Sequence, residues 1–174
     1  MRTVTYGAAC SLDGFIAARD GAIDWLHFTK DVQQQIASYW KTIDTMLIGR
    51  KTWAVGEEQG GTGAMTQGIT TYLFSRTMRE APPGVQLVSG GAGAFVRELK
   101  QQPGKGICLL GGGELAVSLL EAGVVDEVRL NVHPILLGDG IPLFRDAGRR
   151  IPLELLDSRV IEGGCVISRY RVRA

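Results

Sequence analysis

The chain has 174 residues, 45% of them hydrophobic, which is enough for one domain with a sizeable core and no metal or disulfide staples. Lysine plus arginine (19) nearly balances aspartate plus glutamate (18), so the net charge of +1 excludes a global electrostatic pull on nucleic acid or an anionic membrane. Any anion selectivity has to be local.

The N-terminal "MRTVTYGAACSLDG" lacks the apolar h-region of a signal peptide, and no apolar run approaches the ~18 residues of a membrane span. Cys10, Cys108 and Cys165 are odd in number, sit in or beside apolar runs and show no C-x-x-C spacing. Buried, reduced thiols in a soluble, cytoplasmic protein are expected. In "SLDG", Asp13 is either half of a turn-forming Asp-Gly pair or a carboxylate for substrate. From Thr29 to Ile43 the apolar residues Val32, Ile36, Tyr39, Trp40 and Ile43 follow a helical stripe with Thr29 as N-cap. Asp31 lies in the first turn, as an acid favourable to the helix N-terminus or as a second substrate carboxylate.

Short apolar runs then follow one another: Thr45 to Gly49, Ile69 to Ser75, Val85 to Ser89 and Gly106 to Gly111. They read as strands covered on both faces. Gly56 to Gly68, with five glycines, reads as a long loop. Shorter helices are expected at Phe95 to Leu99 and at Leu115 to Leu120, the latter closed by Gly123. "DEVRLNVH" (Asp126 to His133) and "CVISRYRVR" (Cys165 to Arg173) alternate polar with apolar residues, as antiparallel strands with one wet face do. The expected product is an α/β fold of three layers, αβα: a mixed, mostly parallel sheet of about seven or eight strands, with antiparallel C-terminal strands ending in a hairpin.

Three strand ends carry glycine, cation or hydroxyl: Gly49-Arg50-Lys51-Thr52, Ser75-Arg76 and Gly111-Gly112-Gly113-Glu114. The last fits G-x-G-x-x-A between strand and helix, where free amides and the helix dipole suit a pyrophosphate; tight packing without ligand is the alternative. Singly, each arginine is most often a solvated surface charge. Parallel strands, however, present their C-terminal ends along one edge, where α/β proteins bind ligands. His27 and His133 form no metal or triad constellation with the cysteines or acids by spacing, and no metal site is expected.

"DTMLIGRKTW", "YLFSR", "ICLLGGGEL" and "VDEVRLNVHPILLGDGIPLF", in that order, resemble the dihydrofolate reductase-like family. With "SLDGFIA" near the N-terminus, the chain is most similar to the reductase domain of the riboflavin-biosynthesis deaminase-reductase and its stand-alone bacterial relatives. The resemblance implies an NADPH-dependent reductase in which Gly49, Arg50, Lys51 and Thr52 hold the phosphate end of the cofactor. It further implies that Ser75 and Arg76 flank the adenosine 2'-phosphate, and that Gly111, Gly112 and Gly113, with a cis glycine pair, let the cofactor pass over the helix start beside Glu114. Asp31 lies near the position of the family's substrate acid, with Asp13 the other candidate. The H-x-E and P-C-x-x-C signature of the zinc deaminase is absent, so a lone reductase is expected. The implied substrate is the ribosylaminopyrimidine phosphate of riboflavin synthesis; dihydrofolate and a non-catalytic nucleotide-binding or scaffold role are the alternatives. A phosphorylated sugar wants a further cation near the substrate, and none is assigned. By analogy with relatives the chain forms a homodimer.

Overall fold

The structure is a computed structural model and describes residues 1–58, 68–145 and 148–173. Its strands are β1 (Val4–Ser11), β2 (Phe15–Ala17), β3 (Ile43–Gly49), β4 (Thr70–Phe74), β5 (Val85–Val88), β6 (Gly106–Gly111), β7 (Glu127–His133), β8 (Ile141–Pro142), β9 (Leu153–Val160) and β10 (Val166–Val172). Its helices are α1 (Lys30–Trp40), α2 (Arg50–Glu58), α3 (Ala92–Leu99) and α4 (Gly113–Glu121). All four apolar runs became strands. Each is only four to seven residues long and bounded by glycine or polar residues, too short for a helix to hide in.

Eight strands form one sheet in the order β5-β4-β3-β6-β1-β7-β10-β9, while β2 and β8 make a separate small pair. From β5 through β7 neighbours run parallel; β10 is antiparallel to both β7 and β9. The strand Glu127–His133 is therefore not wholly antiparallel as expected: it is the junction, parallel to β1 on one side and antiparallel to β10 on the other.

Helices cover both faces. On one, Val96 and Leu99 of α3 and Ala116, Leu119 and Leu120 of α4 pack on Val4, Tyr6, Leu109 and Val128. On the other, Trp53 of α2 and Trp40 of α1 join Met46, Ile48 and Leu73. Each such fully buried side chain contributes about 1.5–3 kcal/mol, which orders the helices against the sheet. Thr29 caps α1 as expected, its hydroxyl accepting from the Val32 amide at 3.3 Å. Gly123 follows the end of α4 with φ +66°, a conformation glycine adopts freely.

Two expectations need correction. Gly56 lies inside α2, whose first turn grows straight out of β3; of the expected loop, residues 59–67 lie outside the described residues. The polar face of β7 is also not wet, because α1 lies over it. His133 is only 1% exposed, Arg129 and Asn131 are half-buried, and the Arg129 guanidinium sits 4.9 Å from the centre of the Tyr39 ring. Alternation recorded the polar residue types correctly but not the helix above them.

Candidate functional site

β3 and β6 are neighbours, yet the chain leaves them in opposite directions: α2 leads outward to β4, and α4 leads across β1 to β7. That reversal is the switch point at which open α/β sheets leave a crevice. Gly49 ends β3 and Arg50, Lys51 and Thr52 make the first turn of α2; Gly111 ends β6 and Gly112 precedes α4. Ser75 and Arg76 follow β4, the next strand along. Three short stretches, separate in sequence, thus line one edge.

The Gly111–Gly112 peptide bond is cis, as the resemblance implied. A Cβ on Gly112 would stand 3.0 Å from Thr52 Oγ1, and one on Gly49 would stand 3.2 Å from the Gly112 nitrogen. Gly111 has φ +122°, which residues with side chains rarely adopt. These glycines are needed first so that strand end, turn and helix can pack on each other. What remains for a ligand is the start of α4, whose Gly112 cap supplies no side-chain bond to the first-turn amides.

The other expected residues are disposed unevenly. Arg50 and Arg76 are exposed, with no ion-pair partner among the described residues. Lys51 pairs with Glu114 at 3.7 Å, and Glu114 also meets Arg145 at 3.5 Å, so this carboxylate is neutralised at the helix start. The Ser75 hydroxyl is 8% exposed and accepts from the amides of Thr77 and Met78 at 3.3 and 3.1 Å, so it builds the turn that presents Arg76.

Beside this edge, between the sheet and α1, lies a cavity of about 190 Å³. Its floor is β1, β6 and β7, where Gly7, Ala9 and Cys108 are too small to fill the space; Leu110, next to Gly111, reaches its wall. Leu26, Phe28, Val32, Ile36 and Trp40 close it from the helix side. A second, larger groove of about 710 Å³ shares Gln35, Tyr39, Arg129 and Ile167 with it and adds Arg159 and Arg169. Arg129 stands directly opposite Arg169 in the β7–β10 register. Burial above all, and then repulsion from Arg159 and Arg169, lowers the Arg129 pKa from its ordinary value.

Neither expected carboxylate lines either hollow. Asp31 accepts a hydrogen bond from the Glu162 amide at 3.1 Å and ties α1 to the turn before β10. Asp13 accepts from the Ser11 hydroxyl at 2.6 Å and from the Gly138 amide at 2.8 Å, and these bonds, the Ser11 one first, hold its pKa below the usual carboxylate range. Both acids anchor loops. The polar residues that do face the cavity, Gln35, Tyr39, Arg129, Asn131 and His133, were missed because they come from α1 and from the strand face taken as wet. The structure also brings together three residues that spacing had kept apart: ligand atoms of His27, His133 and Cys165 lie within 4.8 Å of one another. All three cysteines are free and buried, as expected. Among the described residues no helix is long and apolar enough to cross a membrane.

Comparison with known proteins gives the family and the fold. Residues 2–167 match the model of the RibD C-terminal domain. The uncharacterized protein YyaP of Bacillus subtilis is 32% identical over 175 aligned residues, covering 95% of this chain and 92% of YyaP. A solved structure from Shewanella sp. PV-4, named for riboflavin biosynthesis, superposes with TM-score 0.85 at 25% identity and covers 99% of both chains. A dihydrofolate reductase from Enterococcus faecalis, solved with NADP(H), shares the fold at TM-score 0.73 and 14% identity, with 99% of this chain and 97% of that one covered. The chain belongs to the RibD C-terminal domain family, with the dihydrofolate reductase-like αβα fold.

Proposed function

We propose that the protein is an NADPH-dependent reductase of the riboflavin type, transferring hydride to a small heterocyclic, imine or carbonyl substrate. The observation that carries the proposal is the convergence at one switch point of the uncapped start of α4, the Thr52 hydroxyl and two exposed arginines, with an apolar cavity adjoining. Neighbouring strands lie about 4.8 Å apart. A path from Arg76 past Arg50 and Thr52 to Gly112 thus follows an extended dinucleotide, with the 2'-phosphate at Arg76 and the pyrophosphate at the helix starts. Arg offers a forked, charge-assisted contact to phosphate, where an NAD-selective site would carry an acid. Exposed cations and free amides without a competing buried carboxylate are a fitting donor set for this cofactor.

NADPH would supply the hydride; the chain's own residues hold the substrate and keep water away. The cavity is shallow for a whole nucleotide but wide enough for a planar ring, stacked between the Gly7–Ala9 floor and α1. Arg129 gives the further cation that a phosphorylated substrate wants and that no sequence motif supplied. The ribosylaminopyrimidine phosphate therefore leads and dihydrofolate, also anionic, is second. Neither Asp13 nor Asp31 faces the cavity, so neither stands where it could give the proton that accompanies the hydride.

Titration of the purified protein with NADPH and NADH, followed by fluorescence or calorimetry, tests the cofactor before any substrate is tried. Tight binding selective for NADPH is expected. Binding of neither would leave the fold without the chemistry, the outcome that a nucleotide-free scaffold requires.

A further inference from the structure

His27 and His133 of the cavity lining meet the buried Cys165 in a second constellation for which hydride transfer has no use. His27 precedes α1, His133 ends β7 and Cys165 leads into β10, so three separate segments meet there. His133 and Cys165 are 1% and 0% exposed, whereas His27 is exposed and its ring can turn.

The distances suit coordination. His133 Nδ1 and Cys165 Sγ are 3.4 Å apart. With metal–nitrogen and metal–sulfur bonds of about 2.0–2.1 and 2.3 Å, the N-to-S edge of a tetrahedral site is about 3.5 Å. That edge already exists. The third donor needs a shift of the order of an ångström, which an exposed imidazole makes by rotation.

An outer shell is present too. The His27 amide donates to His133 Nδ1 at 3.2 Å, so the neutral ring carries its proton on Nε2. Asn131 Nδ2 lies 3.1 Å from that Nε2 while Asn131 Oδ1, buried, has no partner. Turning the amide over puts Oδ1 on the Nε2 proton and removes the donor-to-donor contact. A histidine whose second nitrogen donates to a fixed carbonyl is how metal ligands are oriented.

We propose that His27, His133 and Cys165 form a three-ligand site for a thiophilic divalent cation of the zinc class, its fourth position on the cavity side. Two nitrogens and one thiolate select late first-row ions over magnesium or calcium. On binding, the Cys165 thiol gives its proton to solvent, and the ion replaces the His27 amide as the partner of Nδ1.

The test uses the whole chain, stripped with chelator and kept reduced, titrated with cobalt(II) chloride and then with zinc chloride. One cobalt per chain is expected, with a sulfur-to-cobalt charge-transfer band and the strong visible bands of a four-coordinate ion, both bleached by zinc. Cys165→Ser should abolish the charge-transfer band. His27→Ala, at an exposed position that leaves the fold intact, should weaken binding by more than the roughly 10–100-fold that losing an outer-shell partner costs. No stoichiometric cobalt binding overturns the proposal, and so does a spectrum that survives both substitutions. Cofactor affinity is read separately, so failure here leaves the reductase reading standing.

Discussion

Two sets of glycines in this molecule do opposite things. At the strand edge, a Cβ on Gly49 or Gly112 would run into the chain's own backbone or the Thr52 hydroxyl at 3.2 and 3.0 Å, whereas a Cβ on Gly7 in β1 meets nothing within 4 Å. The conspicuous triplet is therefore a packing device that happens to free a helix start, while the inconspicuous single glycine leaves the cavity over the sheet open. Glycine density in a sequence marks where backbone comes close, and what it comes close to is decided by the fold.

The sharpest way to break this comparison is Gly49→Ala. The added carbon presses on backbone of the adjacent turn, which cannot swing aside as a side chain would, so β3 and β6 must separate. Overpacking of this kind costs about 1–3 kcal/mol, and at about 2–4 °C per kcal/mol for a chain this size the melting temperature should fall visibly with no cofactor present. An unchanged melting temperature together with lost NADPH affinity would mean that the glycine serves the ligand alone.

Next in size is Arg76→Ala. The side chain is exposed and builds nothing, so stability should hold while NADPH affinity falls by about 10-fold or more and NADH affinity stays as it was. Equal losses for both cofactors would move Arg76 away from the 2'-phosphate. Gly7→Ala is the counterpart at the cavity. Replacing a strand glycine gains about 0.5–1 kcal/mol, and the methyl projects into open space. Stability and NADPH binding should hold or rise, while KM for substrate rises several-fold. A raised KM with unchanged cofactor affinity would assign the cavity to substrate.

How much of this was legible in the sequence follows the same division. The strand edge consists of three contiguous stretches, each read whole from a strand end followed by glycine, cation or hydroxyl, so the αβα sheet and the edge shared by its parallel strands could be anticipated. The cavity gathers a few residues each from β1, α1, β6 and β7 and one from β10, and no window along the chain contains two of its walls. β9 went unread because a register shift where Arg169 and Tyr170 pair with it breaks its alternation. The partners of the two acids were hidden for a related reason. A carboxylate next to a turn or in a helix first turn looks free in sequence, and only the fold brings the Glu162 and Gly138 amides to it.

The smallest expected effect separates those acids from catalysis. Asp31→Asn and Asp13→Asn should each leave kcat within about threefold, far from the 10²–10⁴-fold that loss of a general acid costs. Asp13 carries a second signature. Its hydrogen bonds lower its pKa in the folded state relative to about 3.9 in the unfolded chain, so in the interval between the two values the unfolded state binds more protons. Its contribution to stability is complete above the unfolded value and is lost as pH falls through the folded one. Acid titration of the parent and of Asp13→Asn, followed by melting temperature, should show a shallower decline in the variant below about pH 4 and parallel curves above it. The same variant with intact acid sensitivity and a collapsed kcat would return Asp13 to the chemistry and open the cavity reading to revision.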